Sequence, residues 1–189
     1  MIKKILVMLV TVSLLAFLGA CTSSPKVTAT TSAAETTPAE TTFLTGPFGD
    51  KDLVFSHQGV SIVLLSDVQA LLSALGEDYT LEAAVSCMFV GEDKRFIYNG
   101  FEIFTYPIDG QDQIDEILIT DTTFATPRGI SVGDSYDSVV AVYGEGTFDE
   151  VVLTYILPGG DPESNPRLIF GIEDGTVHYI SFYSARNMR

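Results

Sequence analysis

The apolar positions between Ile62 and Gly144 fall into the same pattern twice. Val68, Leu71, Leu72 and Leu75 recur at the i, i+3, i+4, i+7 spacing of one helix face, and so do Tyr136, Val139, Val140 and Tyr143. The segments 62–76 and 130–144 align without a gap, each reading as a short extended stretch, a polar cap, an amphipathic helix and a terminal glycine. Ser66 with Gln69 makes a capping box, and Asp134 or Ser135 can cap the second helix. Gly76 and Gly144 stand where a helix C-terminus wants a left-handed residue.

After each helix the pattern changes to strands. The first set is Ala83–Val90, Arg95–Tyr98 running into Phe101–Tyr106, and Ile114–Thr120. The second is Val151–Leu157, Arg167–Ile172 and Thr176–Tyr183. Asn99-Gly100, Asp109-Gly110, Gly159-Gly160 and Asp174-Gly175 supply the turns, and Asp174-Gly175 is the strongest hairpin signal among them. One helix followed by a strand meander, twice over, predicts an α+β fold. Two tandem helix-plus-antiparallel-strand repeats, 47–125 and 126–189, form a sheet with the helices packed on one face.

Thr126-Pro127-x-Gly129-Ile130-x-x-Gly133-Asp134-Ser135, with Val139 and Tyr143-Gly144 after it, resembles a recurring segment of bacterial envelope lipoproteins. Ser86-Cys87 and Tyr98-x-Gly100-Phe101-Glu102-Ile103-x-Thr105-Tyr106 resemble the matching part of the first unit. The tandem is similar to the β-lactamase inhibitory protein fold and to small outer-membrane assembly lipoproteins. In the inhibitory proteins the open sheet face binds another protein, so the resemblance implies a fold and a style of recognition. The shared positions are caps, turns and core, and they do not carry inhibition over.

The N-terminus gives an address. Lys3 and Lys4 precede an apolar run from Ile5 to Ala20 that ends in Leu18-Gly19-Ala20-Cys21. This resembles a lipoprotein signal, which implies removal of residues 1–20 and lipidation of Cys21. Two or three acyl chains there hold a protein stably on a membrane. Residues 21–46 are rich in Thr, Ser, Ala and Pro and predict a disordered tether, about 25–30 Å end to end. The expected location is the extracytoplasmic face of a cell membrane, and the long Ser/Thr tether points to a Gram-positive surface.

Charge narrows the partners. Loss of Lys3 and Lys4 leaves 10 − 2 = 8 basic residues against 25 acidic ones, a formal charge of 8 − 25 = −17. Such a domain is repelled by nucleic acid and by anionic polymers. With Cys21 committed to lipid, Cys87 has no partner for an intrachain disulfide, and its apolar run reads as a buried structural thiol.

Catalytic chemistry is hard to assemble from what remains. His178 lies in phase with Ile180 and Phe182 and reads as a sheet-face or core-edge histidine, while His57 reads as a surface residue. Two isolated histidines lack the spacing of a zinc site, and Asp109, Asp112, Asp115 and Glu116 lack the pattern of a calcium loop. No catalytic residue, metal or cofactor is expected. Strand alternation points elsewhere. With Phe101 and Ile103 inward, Glu102, Phe104 and Tyr106 face outward, and with Ile180 and Phe182 inward, Tyr179 and Tyr183 do the same. Tyr155 is a candidate to join them, making an aromatic face that is either open for recognition or covered. The expected function is a non-catalytic module binding an envelope protein or peptide. The alternatives are a structural or assembly lipoprotein and, behind it, a wall-acting hydrolase.

Overall fold

The structure of the protein, a computed structural model, describes residues 43–186. The leader, Cys21 and residues 21–42 of the tether lie outside the described residues. Within them the chain is an α+β fold, mostly antiparallel sheet with two helices.

A 3-10 turn, Asp50–Leu53, leads into a small hairpin of β1 (Val54–His57) and β2 (Val60–Val63). Then come α1 (Val68–Leu75), β3 (Thr80–Val85), β4 (Glu92–Ile97), β5 (Phe101–Ile108) and β6 (Gln111–Ile119). The second half runs α2 (Tyr136–Tyr143), β7 (Thr147–Phe148), β8 (Val152–Ile156), β9 (Arg167–Glu173) and β10 (Thr176–Tyr183). Strands β3 to β10 form one eight-stranded sheet in the order β3-β4-β5-β6-β10-β9-β8-β7. Each helix is thus followed by a four-stranded meander, and the last strands of the two meanders pair antiparallel at the centre, with Ile119 opposite Ile180 and Ile117 opposite Phe182.

The helices begin and end where the side chains require. The Asp67 carboxylate, rather than Ser66, accepts the Gln69 N–H at 2.9 Å and caps α1. Ser66 instead donates its hydroxyl to the Val63 carbonyl, so the carboxylate one residue later takes the orphan donor. Ser135 caps α2 by accepting the Ser138 N–H. Gly76 and Gly144 close the two helices with φ of 80° and 82°, each donating its N–H to the carbonyl four residues back.

The Asp109-Gly110 and Asp174-Gly175 hairpins have both turn residues at positive φ, the type I′ geometry that matches strand twist. Gln58-Gly59 does the same in the β1–β2 hairpin, which the hydrophobic pattern alone did not mark. That hairpin is too short to show periodicity, yet it places Phe55 and Ile62 in the core. Val68 and Leu71 of α1, Val139 and Tyr143 of α2, and the inward rows of the strands join them in one hydrophobic cluster. One such row crosses six strands: Phe96, Ile103, Ile117, Phe182, Leu168 and Tyr155. Burying each of these side chains contributes about 1.5–3 kcal/mol.

Three expectations change. The apolar run 83–90 is not one strand. The Ser86 hydroxyl accepts the N–H groups of Met88 and Phe89, its own N–H reaches the Gly91 carbonyl, and the chain turns back into β4. Cys87 therefore sits exposed on that loop instead of buried in a strand. A bulge between Val177 and Tyr179 puts Val177 in the core and His178 in solvent, within 3.3 Å of Glu173. His57, expected at the surface, is half-buried, its ring 5.1 Å from Phe101 and 5.4 Å from Phe124.

Residues 43–46, at the end of the expected tether, are attached to the domain. Leu44 donates to the Pro127 carbonyl, and Arg128 donates to the Gly46 carbonyl at 2.7 Å. Arg128 is the clamp of this region. It makes a bidentate pair with buried Asp52 at 2.6 and 2.9 Å, reaches the Val142 carbonyl, and lies over the Tyr143 ring at 4.9 Å.

Candidate binding surface

Alternation leaves the other face of the eight-stranded sheet to a second set of side chains. One outward row is continuous in register across six strands: Glu82, Arg95, Phe104, Glu116, Tyr183 and Arg167. At about 4.8 Å per strand it runs roughly 24 Å. A parallel row carries Ile97, Glu102, Leu118, Ser181, Ile169 and Thr154. Apart from exposed Glu82 and buried Ser181, the side chains of both rows are half-buried, in contrast to the closed inner rows.

Phe104 and Tyr106 are brought together. They line a cleft of about 500 Å³ over β3, β4 and β5, with Glu82, Ala84, Asp93 and Arg95. Two features open it. Besides Glu82, which is drawn to Arg95, β3 contributes only the small side chains of Ala83 and Ala84 there, and the 86–91 loop stands to one side with Phe89 packed on the Tyr106 ring at 5.5 Å. The Arg95 guanidinium forms a wall. It donates to both Glu102 carboxylate oxygens at 2.6 and 2.7 Å and to Glu82 at 3.0 Å, and stacks over Phe104 at 5.6 Å. These carboxylates, Glu102 foremost, raise its pKa further above an already high value. The cation is thus neutralised in place, while one oxygen of Asp93 is buried without a hydrogen-bond partner among the described residues.

Tyr183 and Tyr179 lie further along the same face. Tyr183 stands between Glu116 and Arg167 in register. The Tyr179 ring fills the space above Gly171, where an added Cβ would lie 2.0 Å from Tyr179 Cε1, so the neighbouring glycine is what lets the ring lie flat on the sheet. Burial raises the pKa of the Tyr179 hydroxyl and of the Glu116 carboxyl. Glu116 is held from one side by the Ser181 hydroxyl at 2.5 Å.

Tyr155 does not belong to this face. It is 6 % exposed, packs between Tyr143, Phe48 and Phe170, and donates its hydroxyl to the Gly144 carbonyl at 2.7 Å. Burial pushes its pKa up to about 12. Its place follows from strand phase: Leu153 and Tyr155 share one face of β8, and that face is the inner one. Glu102 is outward with Phe104 and Tyr106, as alternation predicts, while Glu82, Asp93 and Arg95 join the face without having been expected there. For Asp93 and Arg95 the signal was present, since in β4 they alternate with Lys94 and buried Phe96.

A second buried carboxyl marks the seam of the sheet. Asp115 is the bulged residue of β6, where Phe104 pairs with Glu116 and Thr105 with Ile114. Its carboxylate accepts the Ser184 hydroxyl, and its carbonyl accepts the Ser184 N–H at 2.8 Å. Burial pushes its pKa up to about 6, against the pull of the Ser184 hydroxyl. Comparison of the chain with family models, with curated proteins and with solved structures finds no match.

Proposed function

We propose that this chain is a lipid-tethered extracytoplasmic binding module, built from two copies of one helix-plus-meander unit, that takes a protein or peptide on the outer face of its sheet. The observation that carries this reading is the outward row from Glu82 to Arg167 with the Phe104–Tyr106 cleft at one end. Half-buried aromatics interleaved with paired charges are the composition of a recognition surface. Two copies are supported by the helices, whose termini are offset by the same 136 − 68 = 143 − 75 = 68 residues and end on glycines with the same geometry. The mirrored strand order about the β6–β10 seam supports them too. Lipid attachment at Cys21 rests on the leader.

The test uses the full chain in detergent, exposed to detergent-solubilised envelope from the native cell, with retained proteins identified by mass spectrometry. A partner held by the natural chain and lost by the Phe104→Ala/Tyr106→Ala/Tyr179→Ala variant, folded by circular dichroism, is the expected result. A partner that the variant retains in full refutes the face as the binding surface. Cys21→Ser is expected to move the protein from the membrane fraction to the soluble fraction.

A further inference from the structure

The two edges of the eight-stranded sheet are unlike. β7 closes one edge with two residues. β3 ends the other with six, Thr80–Val85, every one of them exposed, and pairs on its inner side with β4 in an unbroken register. Proteins ordinarily blunt such an edge with lysine, proline, a bulge or a covering element. β3 has none of the first three, and Leu81 and Val85 stand 49 % and 81 % exposed on it. Its one charge, Glu82, is turned back onto Arg95.

We infer that β3 is a docking edge that accepts an extended basic peptide segment as a ninth strand, with a lysine or arginine of that segment reaching over Ala84 to Asp93. This rests on the reading of the outer face as a binding surface and names its partner's chemistry. An added strand lies about 4.8 Å beyond β3, and alternate side chains of it project over the outer face. Of the β3 side chains beside the cleft on that face, Glu82 is drawn to Arg95 and Ala84 is small. Ala84 stands opposite Asp93 in register, and the cleft beyond it holds Asp93, Phe104 and Tyr106. The partnerless Asp93 oxygen supplies the charge such a side chain needs, and the rings supply apolar cover for its stem.

Charge selects the occupant. Residues 43–186 hold 23 acidic against 6 basic side chains, and Lys94 and Arg95 beside this edge are already engaged by Asp112, Glu82 and Glu102. Glu77 and Asp78 precede the strand, and Glu92 ends its neighbour opposite Val85. A second copy of the chain would bring a β3 with no cation of its own, carried on a protein with formal charge −15.

The experiment measures binding of a fluorescent, end-blocked octapeptide alternating valine and lysine to the full chain in detergent at low salt. The alternating peptide is expected to saturate, and the same peptide with glutamate for lysine is not. A strand edge uses the amides of alternate residues. Methylating the peptide nitrogens in one phase should therefore weaken binding at least tenfold, and methylating the other phase should leave it unchanged. Asp93→Asn should weaken binding about tenfold and flatten its salt dependence. Ala83→Lys should abolish binding with an unaltered circular dichroism spectrum. Equal tolerance of methylation in both phases, or equal binding of a peptide with its lysines in one block, overturns the proposal. So does a dimer by sedimentation that Ala83→Lys dissociates, because a second copy then holds the edge. If the octapeptide fails while the triple aromatic variant still loses its envelope partner, the edge proposal falls and the face reading stands. If the octapeptide binds through β3 and that variant loses no partner, the reverse holds.

Discussion

The two halves of the sheet share a plan and differ in what they do with it. In the second half Tyr155, Tyr143 and Phe170 pack inward with Phe48 of the N-terminal segment, Arg128 lies over Tyr143, and the outer edge shrinks to two residues, while Tyr179 and Tyr183 face outward. In the first half Phe104 and Tyr106 remain outside, a cleft opens beside them, and the edge strand is long and bare. Even the bulges diverge. The one in β10 exposes His178, and the one in β6 buries Asp115. The halves thus differ at their edges: β7 is two residues long, while beside the six-residue β3 a cleft opens at Phe104 and Tyr106.

The most severe way to break the comparison is to remove the clamp. Arg128→Ala leaves Asp52 buried without its cation and is expected to cost about 3–5 kcal/mol, read from urea unfolding followed by circular dichroism. Next, Tyr155→Ala empties a packed site and should cost about 3 kcal/mol or more, while Phe104→Ala should cost under about 1 kcal/mol. Equal losses in those two variants would erase the distinction between the closed inner face and the half-buried outer face.

The seam sharpens the comparison through pH. Asp115 has a folded pKa of about 6 against an unfolded value near 3.8, so between those values the folded state binds the proton more tightly. Its contribution to stability is therefore present below about pH 4 and is lost as pH rises through 6. Asp115→Asn should raise stability at pH 7 by up to about 3 kcal/mol, a gain that disappears by pH 4 in unfolding titrations. The smallest effect belongs to the bare edge. Ala83→Lys should change stability by no more than about 0.5 kcal/mol, because the strand's other side keeps its register with β4.

Local signals were legible wherever a short stretch decided its own conformation. Both helices, their terminal glycines and the Asp109-Gly110 and Asp174-Gly175 hairpins stand where the pattern put them, because spacing and positive φ are properties of a few adjacent residues. The same locality misled at Ser86. There an apolar run read as a strand, and a single hydroxyl bonding two backbone amides ended it. Of the five aromatic candidates, Phe104, Tyr106, Tyr179 and Tyr183 face outward, since their inward neighbours set the phase. Tyr155 faces inward instead, because Leu153 sets the phase of β8.

The sequence by itself determined the α+β class, the helix faces, the tight turns and the acidic balance. Each of these depends on residues close together in the chain. Tertiary structure alone decided that β6 pairs with β10, that β3 stands at a sheet edge uncovered by the described residues, that Arg128 meets Asp52 across 76 residues, and that a cleft forms beside Phe104. Those outcomes depend on which distant surfaces bury one another, and hydrophobic burial is non-directional, so a local pattern specifies that a face is covered without specifying what covers it.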